Sequence, residues 1–136
     1  MFSRFIACGV IACCLVTGSA IASADRADAK LYQGTTGMGY RIKVLVKDRA
    51  FKVKLFRVDL RCQDERQLTL TKRGFPWTKV GRRGRFGETW SRGGDSVLFR
   101  GRLDERSVWG SLRVTERLGD GTRCSSYLTT FGATPR

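Results

Sequence analysis

Apolar and polar side chains alternate with a period of two along much of the chain, and this alternation predicts strands. Within Tyr40–Lys47, the side chains of Tyr40, Ile42, Val44 and Val46 share one face while Arg41, Lys43 and Lys47 share the other. After the turn Lys47-Asp48-Arg49-Ala50 the pattern continues through Phe51, Val53 and Leu55, and then Phe56, Val58, Leu60 and Cys62 hold the apolar phase. The phase slips at Leu55-Phe56, which marks a β-bulge or a strand that passes from one sheet to another.

Leu68–Lys72, Trp77–Val80 and Arg85–Trp90 read as weaker strands. Val97, Phe99, Gly101 and Leu103 form a clear alternating set, as do Val108, Gly110, Leu112 and Val114. Asp104-Glu105-Arg106 turns the chain between them, Gly119-Asp120-Gly121 marks the next turn, and Cys124–Phe131 reads as one closing strand. Asp-Glu-Arg occurs at 64–66 and again at 104–106, each time before a strand, as a recurrent turn chemistry. No amphipathic helix pattern follows residue 24. About eight or nine short strands, with turns roughly every 8 to 12 residues, predict an all-β fold. An antiparallel β-sandwich is the favoured architecture and a small β-barrel the alternative.

The start of the chain carries a different pattern. A short basic segment, Met1–Arg4, precedes an uncharged run over Phe5–Ala24 that opens with FIACGVIACCLV and ends in small residues. This reads as a secretory signal peptide over residues 1–24, with Ala22-Ser23-Ala24 placing cleavage before Asp25 and leaving 25–136 as a single β-rich domain. A membrane anchor through residues 5–24, or a lipidated Cys13 in the run Val10-Ile11-Ala12-Cys13, are the alternatives. The localisation expected is secreted, periplasmic or cell-envelope. Cys8, Cys13 and Cys14 leave with the signal, and the remaining pair, Cys62 and Cys124, implies one disulfide in an oxidising compartment. Such a bridge closes a loop of about 63 residues, worth about 4 kcal/mol where chain entropy governs.

Several short motifs follow one another in order: Tyr32-Gln33-Gly34-Thr35-Thr36, then Cys62, Gly84-Arg85-Phe86, Gly101, Val108-Trp109-Gly110-Ser111-Leu112-Arg113-Val114 and Cys124. In these the chain resembles a loose group of short exported β-sandwich proteins of high-GC bacteria, which share the YxGxT opening, the GxF and GxLxV strands and two cysteines. The resemblance implies the sandwich and the disulfide. Its motifs are structural, and no activity comes with them.

Composition narrows the chemistry. The chain has no histidine, which excludes Ser-His-Asp and Cys-His nucleophiles and the usual His/Cys zinc shells. Seven of the 12 carboxylates (Asp48, Asp64, Glu65, Asp95, Asp104, Glu105 and Asp120) fall in predicted turns. Glu88 and Glu116 lie in strand-like sequence, which makes them the better catalytic candidates among the carboxylates, and the favoured reading of each is a partner of a neighbouring arginine. No Asp-x-Asp-x-Asp-Gly calcium loop occurs. The expectation is a protein without catalytic residues, metal or cofactor, acting structurally or by binding.

The formal charge is +14, and the bases concentrate on predicted strands while the acids sit in turns. Arg41, Lys43, Lys52 and Lys54 are expected on the outer face of one hairpin with no acid between them. In FPWTKVGRRGRFGETWSRGG, aromatics interleave with Arg82, Arg83, Arg85 and Arg92 in a Gly-rich segment, with Trp90 among them as a stacking residue. The competing reading makes Trp77, Phe86 and Trp90 core residues and Gly81-Arg82-Arg83-Gly84 an exposed turn. The partner these features fit is a polyanion: an envelope polymer, an acidic glycan, a lipid surface or nucleic acid. A third reading is a small-ligand carrier or hydrolase, with Trp77, Trp90 and Trp109 lining a cavity between sheets.

Overall fold

The computed structural model describes residues 28–136, so the leader read over residues 1–24 lies outside the described part of the chain. Among the described residues ten strands run in chain order: β1 (Lys30–Thr36), β2 (Arg41–Lys47), β3 (Ala50–Cys62), β4 (Gln67–Arg73), β5 (Thr78–Lys79), β6 (Arg85–Arg92), β7 (Asp95–Leu103), β8 (Val108–Arg117), β9 (Arg123–Ser125) and β10 (Thr129–Pro135). A three-residue 3-10 turn, Arg82–Gly84, precedes β6. The fold is all-β. Every strand pairing is antiparallel.

The favoured architecture, two separate sheets, gives way to the barrel alternative. Strand β10 pairs with β1 on one edge and β8 on the other, and β9 joins β8 to the end of β3. The ring β1-β2-β3-β9-β8-β10 therefore closes into a six-strand barrel, with β4 and β5 added outside β3 and β6–β7 extending from β8. Closure demands bending, and glycine supplies it where strands approach. A Cβ on Gly34 would come within 1.7 Å of the Gly132 carbonyl oxygen across β1–β10. Gly101 and Gly110 face each other across β7–β8, where a Cβ on either would meet a backbone oxygen at 2.1 or 2.0 Å.

The phase slip read near Leu55 is a β-bulge. Lys43 faces Leu55 and Val44 faces Val53, which leaves Lys54 as the extra residue on β3 and restores Phe56 to the interior. The expected closing strand, by contrast, is broken. Ser125 pairs with Thr115 and Thr129 with Leu112, so Ser126–Leu128 bulges between β9 and β10. The buried Ser126 hydroxyl accepts the Val114 N–H at 2.8 Å, and the Ser126 N–H donates to the Val114 carbonyl, so these backbone groups stay satisfied at the break.

The interior is a chain of aromatic contacts. Phe99 stacks on Phe131 at 4.5 Å and touches Phe51, Phe86 and Trp90, while Phe75 bridges Trp90 to Phe56. Ile42, Val44, Val53, Val58, Val108, Leu112 and Val114 fill the remaining volume without solvent exposure. Cys62 and Cys124 are direct cross-strand partners and are disulfide-bonded. They sit at the narrowest seam of the ring, where β3 and β9 share only the pairs Arg61–Ser125 and Cys62–Cys124. The bridge thus fastens the barrel where hydrogen bonding is thinnest.

Candidate functional site

The turns carry out the chemistry read for Asp-Glu-Arg. The Oδ1 atom of Asp64 accepts the Arg66 N–H at 3.2 Å, and Oδ1 of Asp104 accepts the Arg106 and Ser107 N–H groups at 2.8 and 2.7 Å. The two bonds to Asp104 favour its ionised form and hold its carboxyl below the ordinary range, with Arg102 adding a smaller pull. Arg66 also reaches Asp120 at 2.8 Å and Asp64 at 2.6 Å, tying the β3–β4 turn to the β8–β9 turn beside the disulfide. Glu116 faces inward and pairs with Lys72 of β4, not with an arginine. Glu88 is half-buried on the inward phase of β6 and forms no ion pair among the described residues. Among the described residues no group of three potential metal ligands comes together.

The three tryptophans do not share a cavity. Trp90 is partly buried and packs against the core between Phe75 and Phe99. Trp77 and Trp109 are 43 % and 50 % exposed and line separate concavities. Phe86 is also buried. The segment from Arg82 to Arg92 is therefore a short turn followed by the whole of β6 and not a single loop. Arg82 and Arg83 form an exposed turn, with Arg83 in the left-handed region at φ 57°. Arg85 begins β6 and Arg92 ends it, about 23 Å away at strand rise.

The bases of the first hairpin do lie outward, but the register staggers them. Lys43 faces Leu55, Lys52 faces Leu45, Arg41 faces Thr35 of β1, and Lys54 occupies the bulge. None of these pairs sets like charges directly opposite. On the neighbouring part of the same surface Asp59 accepts the Tyr40 hydroxyl at 3.0 Å and the Thr69 hydroxyl at 2.6 Å, and the Arg57 guanidinium lies 5.2 Å from the Tyr40 ring centre.

Among the described residues, exposed arginines without ion pairs gather on the outer face of β6, β7 and β8. Arg85 is directly opposite Arg102, Arg102 opposite Trp109, Trp109 opposite Gly132, Gly132 opposite Thr35, and Thr35 opposite Arg41. One row crossing six strands thus carries three arginines and a half-exposed indole. Arg85, Arg100, Arg102, Trp109, Ser111 and Thr130 line an open concavity of about 500 Å³ there. The Arg100 guanidinium donates to Ser111 Oγ at 3.4 Å and that of Arg102 to the Arg83 carbonyl at 3.0 Å. Among the described residues, no carboxylate lies within ion-pair distance of Arg85, Arg100 or Arg102. Of the polyanion-binding candidates named from the sequence only Arg85 and Arg41 belong to this row, and Trp109 enters it from the reading that made it a cavity residue. Trp109, Arg100 and Arg102 are legible as outward positions of their strands, because Gly101, Leu103, Val108 and Gly110 take the inward phase.

Comparison with family models, with curated proteins and with solved structures gives no match for this chain.

Proposed function

We propose that this chain is an exported, non-enzymatic module of the cell envelope that binds anionic polymers through the outer face of β6, β7 and β8. The observation that carries the reading is the direct opposition of two exposed arginines, Arg85 and Arg102, with Trp109 next in the row and no ion-paired carboxylate among the described residues. Like charges facing across strands destabilise a sheet, and an anionic partner reverses that penalty by bridging them. The indole adds a flat apolar surface, and beside arginines it offers both stacking and charge to one ligand. Export is supported by the signal-like residues 1–24 and by the Cys62–Cys124 disulfide, a bond that persists in oxidising compartments.

Retention on immobilised heparin, measured against salt, tests the reading. The wild-type protein is expected to elute well above physiological ionic strength, because several exposed guanidinium groups release counterions together. R85S/R102S is expected to elute earlier and with a flatter salt dependence, by about 0.7 to 0.9 in log-log slope for each phosphate left unneutralised when the ligand is a nucleic acid. Elution of the double variant with the wild type would overturn the proposal.

A further inference from the structure

A second concavity adjoins the first. It encloses about 570 Å³ and is lined by Arg61, Arg113, Arg123 and Tyr127, together with Thr115 and Ser125. Tyr127 projects from the Ser126–Leu128 bulge and is 71 % exposed, the most open of the large apolar side chains described. Arg61, Arg113 and Arg123 are exposed and form no ion pair among the described residues, and Arg123 is directly opposite another exposed arginine, Arg117. The two concavities meet along one strand. Trp109 and Ser111 line the first, and Arg113 and Thr115, the next outward positions of β8, line the second.

Resting on the binding face already proposed, we infer that the two concavities are subsites of one track and that its ligand is a linear acidic polysaccharide long enough to cover both. The spacing of the aromatics carries the choice of polymer. Trp109 and Arg113 are about 13 Å apart at strand rise, and Tyr127 lies beside the Arg113 end. Single-stranded nucleic acid is held by aromatics that stack successive bases. Here the two aromatics stand far apart along the track, and hydroxyls and guanidinium groups lie between and beyond them. Ser111, Thr130, Thr115 and Ser125 present neutral donors and acceptors suited to sugar hydroxyls, and the arginines match regularly spaced carboxylate or sulfate groups. No carboxylate occupies an outward position of β6, β7, β8, β9 or β10, and the outward Asp59 of β3, two positions from Arg61, is engaged by the Tyr40 and Thr69 hydroxyls.

The experiment measures affinity for heparin-derived oligosaccharides of increasing length by calorimetry. The wild-type protein is expected to bind long chains at least roughly tenfold more tightly than chains that fill one subsite, because engagement of the second subsite becomes intramolecular. R123S/Y127A is expected to lose that step and to keep only the short-chain binding that the first subsite supplies, and R102S/W109A to weaken binding of both short and long chains. All four side chains are exposed, and an unchanged thermal midpoint verifies the fold of each variant; R113S serves as an independent probe of the second subsite. Wild-type affinity of R123S/Y127A and R113S for long chains, or no dependence on length, overturns the track while leaving the first subsite standing. No binding of any polyanion by the wild-type protein overturns both proposals. Tighter binding of single-stranded DNA of equal charge overturns the assignment to polysaccharide.

Discussion

Gly132 of β10 lies directly across from Trp109 of β8, and a Cβ at Gly132 would meet nothing within 4 Å. The indole therefore has an unobstructed flank on its barrel side. That opening is a property of one missing side chain, since the neighbouring outward positions on β10 are threonines. Gly132→Val should fill the space without straining the backbone, and valine suits a strand better than glycine does. Stability is expected to stay within about 0.5 kcal/mol of wild type or to rise slightly. Heparin affinity should fall, because a side chain at this position obstructs the flank along which a ligand lies against the indole. Unchanged affinity in calorimetry would show that Trp109 does not stack on the ligand from this side.

The opposed pair Arg85–Arg102 gives a second expectation, in which stability and binding move in opposite directions. Replacing Arg85 by Glu turns a repulsive cross-strand pair into an attractive one, worth about 0.2 to 1 kcal/mol in folding. The guanidinium of Arg85 has no ion pair among the described residues that the change would break. R85E should therefore unfold at a higher temperature at low salt, with the gain shrinking as salt screens it. Its retention on heparin should drop. A variant that loses stability would show that Arg85 supports the fold in some way other than its exposed charge.

Most of the wall of this barrel is legible in the alternation of the chain, whereas the site is legible only in pieces. Inward residues such as Val97, Phe99, Leu112 and Val114 announce themselves by their period, and the bulge at Lys54 shows as a phase slip. Strand β1 is faint in the sequence because Lys30–Thr36 alternates weakly, with Gly34 at an inward position. Closure into a barrel depends on β10 pairing with both β1 and β8, a long-range choice that no local pattern encodes. The row Arg85–Arg102–Trp109 follows from that same register. Clustering in sequence points instead to Arg82, Arg83, Arg92 and Trp90, yet a strand sends Arg85 and Trp90 to opposite faces and separates Arg85 from Arg92 along its length. Trp90 packs against the core because it shares the inward phase of β6 with Phe86, where its ring meets Phe75 and Phe99.

The disulfide offers a third expectation. Because Cys62 and Cys124 close the seam where β3 and β9 share two residue pairs, losing the bridge removes both a chain constraint and the main tie across that seam. Cys62→Ser or Cys124→Ser should cost about 2 to 5 kcal/mol. Hydrogen exchange should then rise first at β9 and the end of β3, ahead of β7 and β8, since the seam is the locally weakest unit. Uniform loss of protection over all strands would mean that the barrel opens as a whole, with the seam no weaker than the rest.

The acid limb of stability should report the Arg66 clamp. The Asp120 carboxyl is lowered to about 2, first by the Thr122 hydroxyl and N–H and then by Arg66. Asp104 is lowered in the same direction by the Arg106 and Ser107 N–H groups. A carboxyl lowered in the folded state contributes stability that is complete above its unfolded value, about 3.9, and that is lost as pH falls through the folded one. Between roughly pH 4 and 2, then, the unfolded chain takes up protons that the native turns resist. Denaturant midpoints measured across this window should decline with falling pH, and Asp120→Asn should flatten the decline while leaving the region above pH 5 parallel to wild type. The clamp joins the β3–β4 turn to the β8–β9 turn, so Arg66→Ala should produce part of the same flattening, with Asp120 retaining its Thr122 bonds. A wild-type acid limb in both variants would mean that Asp120 titrates alike in folded and unfolded chains, and that the two turns are held together by the disulfide and the strand ends alone.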